Sequence, residues 1–196
     1  KVKKAADTVL CILPFEPRLY EEHGVNAVFV GHPKAHEAPE IVDTEAARQE
    51  LGIGAGEVVA VMPGSRSGEV SRIGGIVAAA AKEILAARPD TRFVTPVAAP
   101  KLRPMIEQQL RDAGVEQRFK LLDGDAQLAM SAADVVLQAS GTAVLEAALL
   151  RKPTVATYRV SPVTFWIARW LVKLKHYTLP NLLTEQPLVP EFMQHD

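Results

Sequence analysis

Five short apolar runs, at 57–62, 91–96, 118–122, 134–138 and 154–158, alternate with stretches of helical pattern. The intervening helices read at 70–87, ended by Pro89, at 101–113, stopped by Gly114, and at 126–131 and 142–150. Strands separated in this way by helices pair in parallel, because each return needs a crossover. Right-handed crossovers then give an α/β fold: a doubly wound, Rossmann-like parallel sheet with helices on both faces. In such sheets ligands bind beyond the carboxyl ends of the strands.

Ahead of this alternation lie a strand at 8–13, a helix at 15–23 stopped by Gly24, and a strand at 26–30 ending in Gly31-His32-Pro33. Residues 34–43 are polar, contain Pro39 and read as a linker. Asp43 or Thr44 caps a helix at 45–51 that ends at Gly52. After the last strand, Ser161-Pro162 opens a helix through about residue 174.

Two strand ends carry loops suited to anions. The first follows the run Val58-Val59-Ala60-Val61-Met62 and reads Pro63-Gly64-Ser65-Arg66-Ser67-Gly68-Glu69. A small-residue turn at a helix N-terminus presents N–H groups and the positive end of the helix dipole. Arg66 adds a planar fork for phosphate, which suggests the diphosphate of a nucleotide-linked donor. The loop lacks both G-x-G-x-x-G and the Gly-Lys-Ser/Thr of a Walker loop. The plainer reading is a turn in which Glu69 favours the helix start and Arg66 is solvated.

The second loop is Gln138-Ala139-Ser140-Gly141-Thr142, continuing to Glu146. Ser140, Thr142 and the local N–H groups make another anion-competent helix start. Glu146 is four residues beyond Thr142, on the same helix face, where a carboxylate can accept the vicinal hydroxyls of a ribose. A Ser/Thr cap with an exposed Glu is the plainer alternative. In Thr178-Leu179-Pro180-Asn181, Asn181 either places an amide in the site or belongs to a simple turn. Trp166 and Trp170 lie among Arg159, Arg169, Lys173, Lys175 and His176, with no acid between Arg159 and Tyr177. That suits a membrane surface or an acidic headgroup, with a buried helix or an oligomer contact as the alternative.

Composition excludes several classes. The net charge of −1 gives no argument for nucleic acid. Cys11 stands alone, so no disulfide forms within the chain, which suits a reducing compartment. No apolar run approaches the roughly 20 residues of a spanning helix. The histidines are scattered without metal-ligand spacing, and no nucleophile elbow or Ser/His/Asp set is present. The chain starts without Met and ends without a helix stop, so a piece of a longer protein is expected.

Seven segments occur in a recognisable order: Leu13-Pro14-Phe15-Glu16, Phe29-Val30-Gly31-His32-Pro33, Met62 through Glu69, Ala139-Ser140-Gly141-Thr142, Tyr158-Arg159-Val160-Ser161-Pro162, Leu179-Pro180-Asn181-Leu182 and Leu188-Val189-Pro190-Glu191. Together they closely resemble the lipid-A-disaccharide synthase family. The resemblance implies a two-domain, GT-B glycosyltransferase. Such an enzyme transfers 2,3-diacylglucosamine from UDP to 2,3-diacylglucosamine 1-phosphate with inversion, forming lipid A disaccharide 1-phosphate and UDP. It implies no metal or other cofactor, and a cytoplasmic enzyme peripheral on the inner membrane of a Gram-negative bacterium.

Carried onto this chain, the resemblance makes residues 1–33 a remnant of the N-terminal domain and hinge. Residues 34–196 become a donor-binding domain, incomplete at its C-terminus. Gly64, Ser65, Arg66 and Glu69 would hold the UDP phosphates, and Ser140, Gly141, Thr142 and Glu146 phosphate and ribose, with Asn181 lining the site. Trp166, Arg169, Trp170 and Lys173 would meet the membrane or the acceptor, a homodimer contact being the alternative. No catalytic residue is expected here, since the base would lie on the missing N-terminal domain. A UDP-N-acetylglucosamine epimerase of the same fold, or a non-catalytic UDP-binding or membrane-surface module, is the competing expectation.

Overall fold

The computed structural model describes residues 2–161, 165, 166, 170 and 176–194. The helix expected at 161–174 falls largely outside these residues, as do Arg169 and Lys173. The chain forms two compact units, Lys1–Glu40 and Ile41–Asp196.

In the first unit, β1 (Thr8–Cys11) and β2 (Asn26–Phe29) pair in parallel, with Thr8 opposite Asn26. Between them runs α1 (Glu16–Glu21). The Glu16 carboxylate accepts from the N–H groups of Ile12 and Leu13, at 3.0 and 2.8 Å, and so fixes the turn into the helix. Cys11 and Ala27 are buried, whereas Leu10, Val28 and Phe29 are exposed. Part of the expected linker is helical: α2 spans Pro33–Glu37. It has no apolar face to announce it. Its local supports are Pro33 in the first turn and the His32 ring, whose Nδ1 accepts from Lys34 N–H at 3.2 Å.

The second unit opens with α3 (Thr44–Glu50), capped by Asp43, whose Oδ1 accepts from Ala46 N–H at 2.9 Å. Then come β3 (Val58–Met62), α4 (Ser67–Ala87), β4 (Arg92–Val97) and α5 (Arg103–Ala113), followed by β5 (Phe119–Asp123), α6 (Ala126–Ala132), β6 (Val135–Ala139), α7 (Thr142–Leu149) and β7 (Thr154–Tyr158). Two further elements complete it, α8 (Leu179–Leu183) and β8 (Glu191–Met193). The six strands lie in the order β5-β4-β3-β6-β7-β8, and all their pairings are parallel. Counted from β3 as the first strand, this is the 3-2-1-4-5-6 arrangement of a doubly wound sheet. The sixth strand was not expected from sequence: it is three residues long, behind Pro190, with Phe192 exposed.

Burial on both faces explains the unbroken apolar reading of β3. Val58 and Ala60 pack on one side with Ala47 of α3, Leu51 just after it, Met130 of α6 and Ala147 of α7. Val59 and Val61 pack on the other with Ile73, Val77 and Ala81 of α4 and with Phe93. Phe93 stacks on Phe119 with ring centroids 4.6 Å apart, joining β4 to β5. A polar cluster ties the helices to this core. Arg48 donates to the Ala132 carbonyl and to Asp134, and Asp134 accepts from Val58 N–H. Lys152 donates to Thr44 Oγ1 and to the carbonyls of Ser131 and Ala133, each at 2.8 Å.

Gln138 stands outside this order. It is 0% exposed on β6, and neither end of its amide has a partner among the described residues. An unpartnered buried amide is destabilising by about 1–3 kcal/mol. Gln138→Leu, of similar volume, is expected to raise stability by about 1 kcal/mol or more, as read from the denaturant midpoint. A lower midpoint would show that the amide has a stabilising role.

Candidate functional site

The strand order reverses between β3 and β6, which pair with Met62 opposite Gln138. Crossovers leave β3 and β6 in opposite directions, so a crevice opens above their carboxyl ends. The two loops singled out in the sequence occupy this place. One runs from Pro63 into α4 and the other from Ser140 into α7. Adjacent strands thus bring Gly64, Ser65, Arg66 and Glu69 beside Ser140, Gly141, Thr142 and Glu146.

The first loop is held by its own carboxylate. Glu69 Oε2 accepts from Ser65 N–H at 2.9 Å and from Arg66 N–H at 3.3 Å, and Oε1 accepts from Arg66 Nη1 at 2.7 Å. Gly64 makes this possible. Its φ is +123°, and a Cβ there would lie 2.6 Å from Glu69 Cβ and 2.8 Å from Glu69 Oε2. Burial alone would raise the Glu69 carboxyl, but the hydrogen bonds from Ser65 and Arg66 outweigh it and hold it below the usual carboxylate range. The sequence reading had Glu69 as a first-turn acid beside a ligand. Here it also takes loop N–H groups that the reading had offered to phosphate. Helix geometry still leaves the N–H groups of Ser67 and Gly68 without acceptors inside α4. The Arg66 side chain is 81% exposed. An ion pair so exposed is worth little, so the guanidinium can turn from Glu69 to a ligand at small cost.

The second loop continues the sheet for one residue. Ser140 N–H donates to the Thr157 carbonyl at 2.8 Å, and Ser140 Oγ makes a long bond of 3.5 Å to the Tyr177 carbonyl. Gly141 and Thr142 are exposed at the start of α7, while Val144 and Ala147 anchor that helix in the core. Glu146 is half-buried one turn beyond Thr142. The helix start is therefore rigid below and open above.

Asn181 is 3% exposed, and its amide is turned to the chain. Nδ2 donates to the Val189 carbonyl and to Glu191, and Oδ1 accepts from the N–H groups of Leu188 and Val189. Its link to the loops is indirect, through the neighbouring Tyr177 carbonyl and through α8, which packs on α7. Sequence reasoning gave Glu191 no role, although it closes one of the ordered segments. Its carboxylate accepts from the N–H groups of Tyr177 and Thr178, from Thr178 Oγ1 and from the Asn181 amide. Burial pushes Glu191 up, and these donors together bring it below the usual carboxylate range. The available signal was an acid just behind a Pro, beside a buried Asn.

Trp166 and Trp170, four residues apart in the sequence, are 69% and 83% exposed. Among the described residues, no helix is long and apolar enough to cross a membrane.

Comparison with known proteins agrees with this geometry. The sequence profile of the lipid-A-disaccharide synthetase family matches residues 1–196. The chain is 49% identical over 197 residues to the lipid-A-disaccharide synthase of Pseudomonas syringae pv. tomato, covering 100% of this chain and 51% of that one. It is 49% identical over 196 residues to that of Pseudomonas putida strain F1, covering 100% and 52%. The chain thus spans about half the length of these curated relatives and corresponds to their C-terminal half.

Solved structures share the fold. A glycosyltransferase from Rickettsia africae ESF-5 superposes with a TM-score of 0.60 at 8% identity, covering 97% of this chain and 50% of that one. WaaG, a glycosyltransferase involved in lipopolysaccharide biosynthesis, gives 0.52 at 21%, covering 76% and 43%. The UDP-GlcNAc 2-epimerase of Neisseria meningitidis gives 0.52 at 16%, covering 91% and 51%. The fold is that of GT-B glycosyltransferases, and the epimerase shows that this fold alone does not choose the reaction. The identity across the whole chain does choose the family: this chain belongs to the lipid-A-disaccharide synthetases.

Proposed function

We propose that this chain is the donor-binding half of an inverting glycosyltransferase. The whole protein would transfer 2,3-diacylglucosamine from UDP to 2,3-diacylglucosamine 1-phosphate, forming lipid A disaccharide 1-phosphate and UDP. The observation that carries this reading is the family match across residues 1–196. The meeting of two anion-competent loops at the point where the strand order reverses supports it. Residues 1–33 then serve as the end of the N-terminal domain and hinge, and residues 34–196 as the donor domain.

In this reading the UDP diphosphate lies across the starts of α4 and α7. The N–H groups of Ser67, Gly68 and Thr142 face it, together with the positive ends of both helix dipoles. Arg66 exchanges Glu69 for the phosphates, while Glu69 keeps the loop in shape through Ser65 and Arg66 N–H. Glu146 accepts ribose hydroxyls. The acceptor hydroxyl attacks the anomeric carbon from the face opposite UDP and loses its proton to a base on the N-terminal half. The bond to UDP breaks, and the negative charge growing on the departing diphosphate is met by Arg66 and the two helix starts. Closure of two sugars in one cleft supplies the proximity term.

Both lipid substrates must be reached at a bilayer surface. Two exposed tryptophans four residues apart suit the headgroup boundary, and Arg169 and Lys173 add basic charge from the sequence. A contact between two copies of the protein would use the same tryptophans.

In the whole protein, Arg66→Ala is expected to lower formation of labelled disaccharide by about 10²-fold, the order expected for loss of one charge-stabilising group. Near-normal turnover would contradict the role of Arg66. Replacing Trp166 and Trp170 together by serine is expected to reduce co-sedimentation with anionic vesicles several-fold. Unchanged sedimentation would assign the two tryptophans to a protein contact instead.

A further inference from the structure

We propose that Glu191 is the positioning residue of the donor edge: it orients the Tyr177–Thr178 peptide whose carbonyl receives the Ser140 hydroxyl. The inference rests on the donor-binding reading of the Ser140 loop. Glu191 itself is the first residue of β8, opposite Ala156 of β7, and lies outside both anion-competent loops.

The geometry gives one chain of cause. Thr178 N–H donates to Glu191 Oε1 at 2.8 Å. Thr178 Oγ1 donates to the same oxygen at 2.6 Å, and Tyr177 N–H lies 3.2 Å from both carboxylate oxygens. Asn181 Nδ2 donates to it at 2.9 Å, and Asn181 also grips Val189, so the acid cannot shift along the strand. In a planar trans peptide the N–H and the preceding C=O point in opposite directions. Fixing Thr178 N–H on Glu191 therefore aims the Tyr177 carbonyl away from Glu191. Ser140 Oγ is the group that meets it, at 3.5 Å.

This arrangement gives Ser140 a defined hydroxyl direction at the mouth of the site. The carboxylate is largely buried. Among the described residues no lysine or arginine pairs with it, and only the His176 ring approaches, at 3.7 Å. A largely buried acid held by N–H and O–H donors demands that those donors converge. The shape of the 177–181 segment is thus dictated by one side chain on β8. Met at 191 would remove the oxygen that accepts from Thr178 N–H, Thr178 Oγ1 and Asn181 Nδ2, which frees the Tyr177–Thr178 peptide to turn and leaves Ser140 without its partner.

A double-mutant cycle on UDP affinity, measured by calorimetry on the whole protein, tests this. Glu191→Met is expected to raise the Kd for UDP about tenfold, the size of losing a hydrogen bond to a charged group. In a Ser140→Ala background the same change is expected to raise it by less than about twofold, because the two residues act through one contact. Thr178→Val deletes a single donor and is carried through the same cycle, so a failure of Glu191→Met to fold leaves the test intact. Equal losses in both backgrounds, or no loss in either, overturn the inference while UDP binding by the unaltered protein keeps the donor-site reading. Absence of UDP binding by the unaltered protein overturns both.

Discussion

The pairing of β3 with β6 is the interaction on which the rest of the site depends. Met62 lies opposite Gln138, so the two strands end within one residue of each other and their loops start side by side. A slip of one residue would also reverse which side chains face α4 and which face α3, α6 and α7. Burial on both faces forbids that slip, because Val58, Ala60, Val59 and Val61 all lie in packed surroundings. Core packing therefore sets where the two helix starts meet, and the chemistry of the loops uses a position decided below them.

Two glutamates then fix what packing leaves loose. Glu69 gathers the N–H groups of Ser65 and Arg66, and Glu191 gathers those of Tyr177 and Thr178. Each is an acid beside a site read as binding an acid, which would repel a diphosphate if its charge faced it. The donors each one holds answer that charge, and both carboxyls sit below their ordinary range for that reason. The fixed loops are preorganised, so a ligand need not order them on binding. Arg66, exposed and in a weak ion pair, is the group left able to move.

Much of this was legible in the residues. Strands β3 and β4 announce themselves because both their faces are buried, and Asp43 marks the start of α3, with Gly114 in the left-handed region ending α5. Both anion-competent loops were readable from a strand end, small residues and a helix start. The missed elements lack such marks: α2 has no buried face, and β8 is a short strand whose partner β7 is far away in sequence. The direction of the Asn181 amide was not readable either. It depends on Leu188, Val189 and Glu191 returning past it, a tertiary event that no local pattern records. The same holds for the reach of Glu69 back to Ser65, which rests on the φ of Gly64.

The central claim is that the diphosphate of UDP lies across the starts of α4 and α7. Amide chemical-shift mapping of the intact protein, titrated with UDP and separately with uridine, tests it most directly. The account predicts that UDP, and not uridine, shifts the N–H signals of Ser67, Gly68, Gly141 and Thr142 and the Nε–H of Arg66. Shifts confined to the amino edge of the sheet, or identical responses to UDP and uridine at these residues, would contradict it.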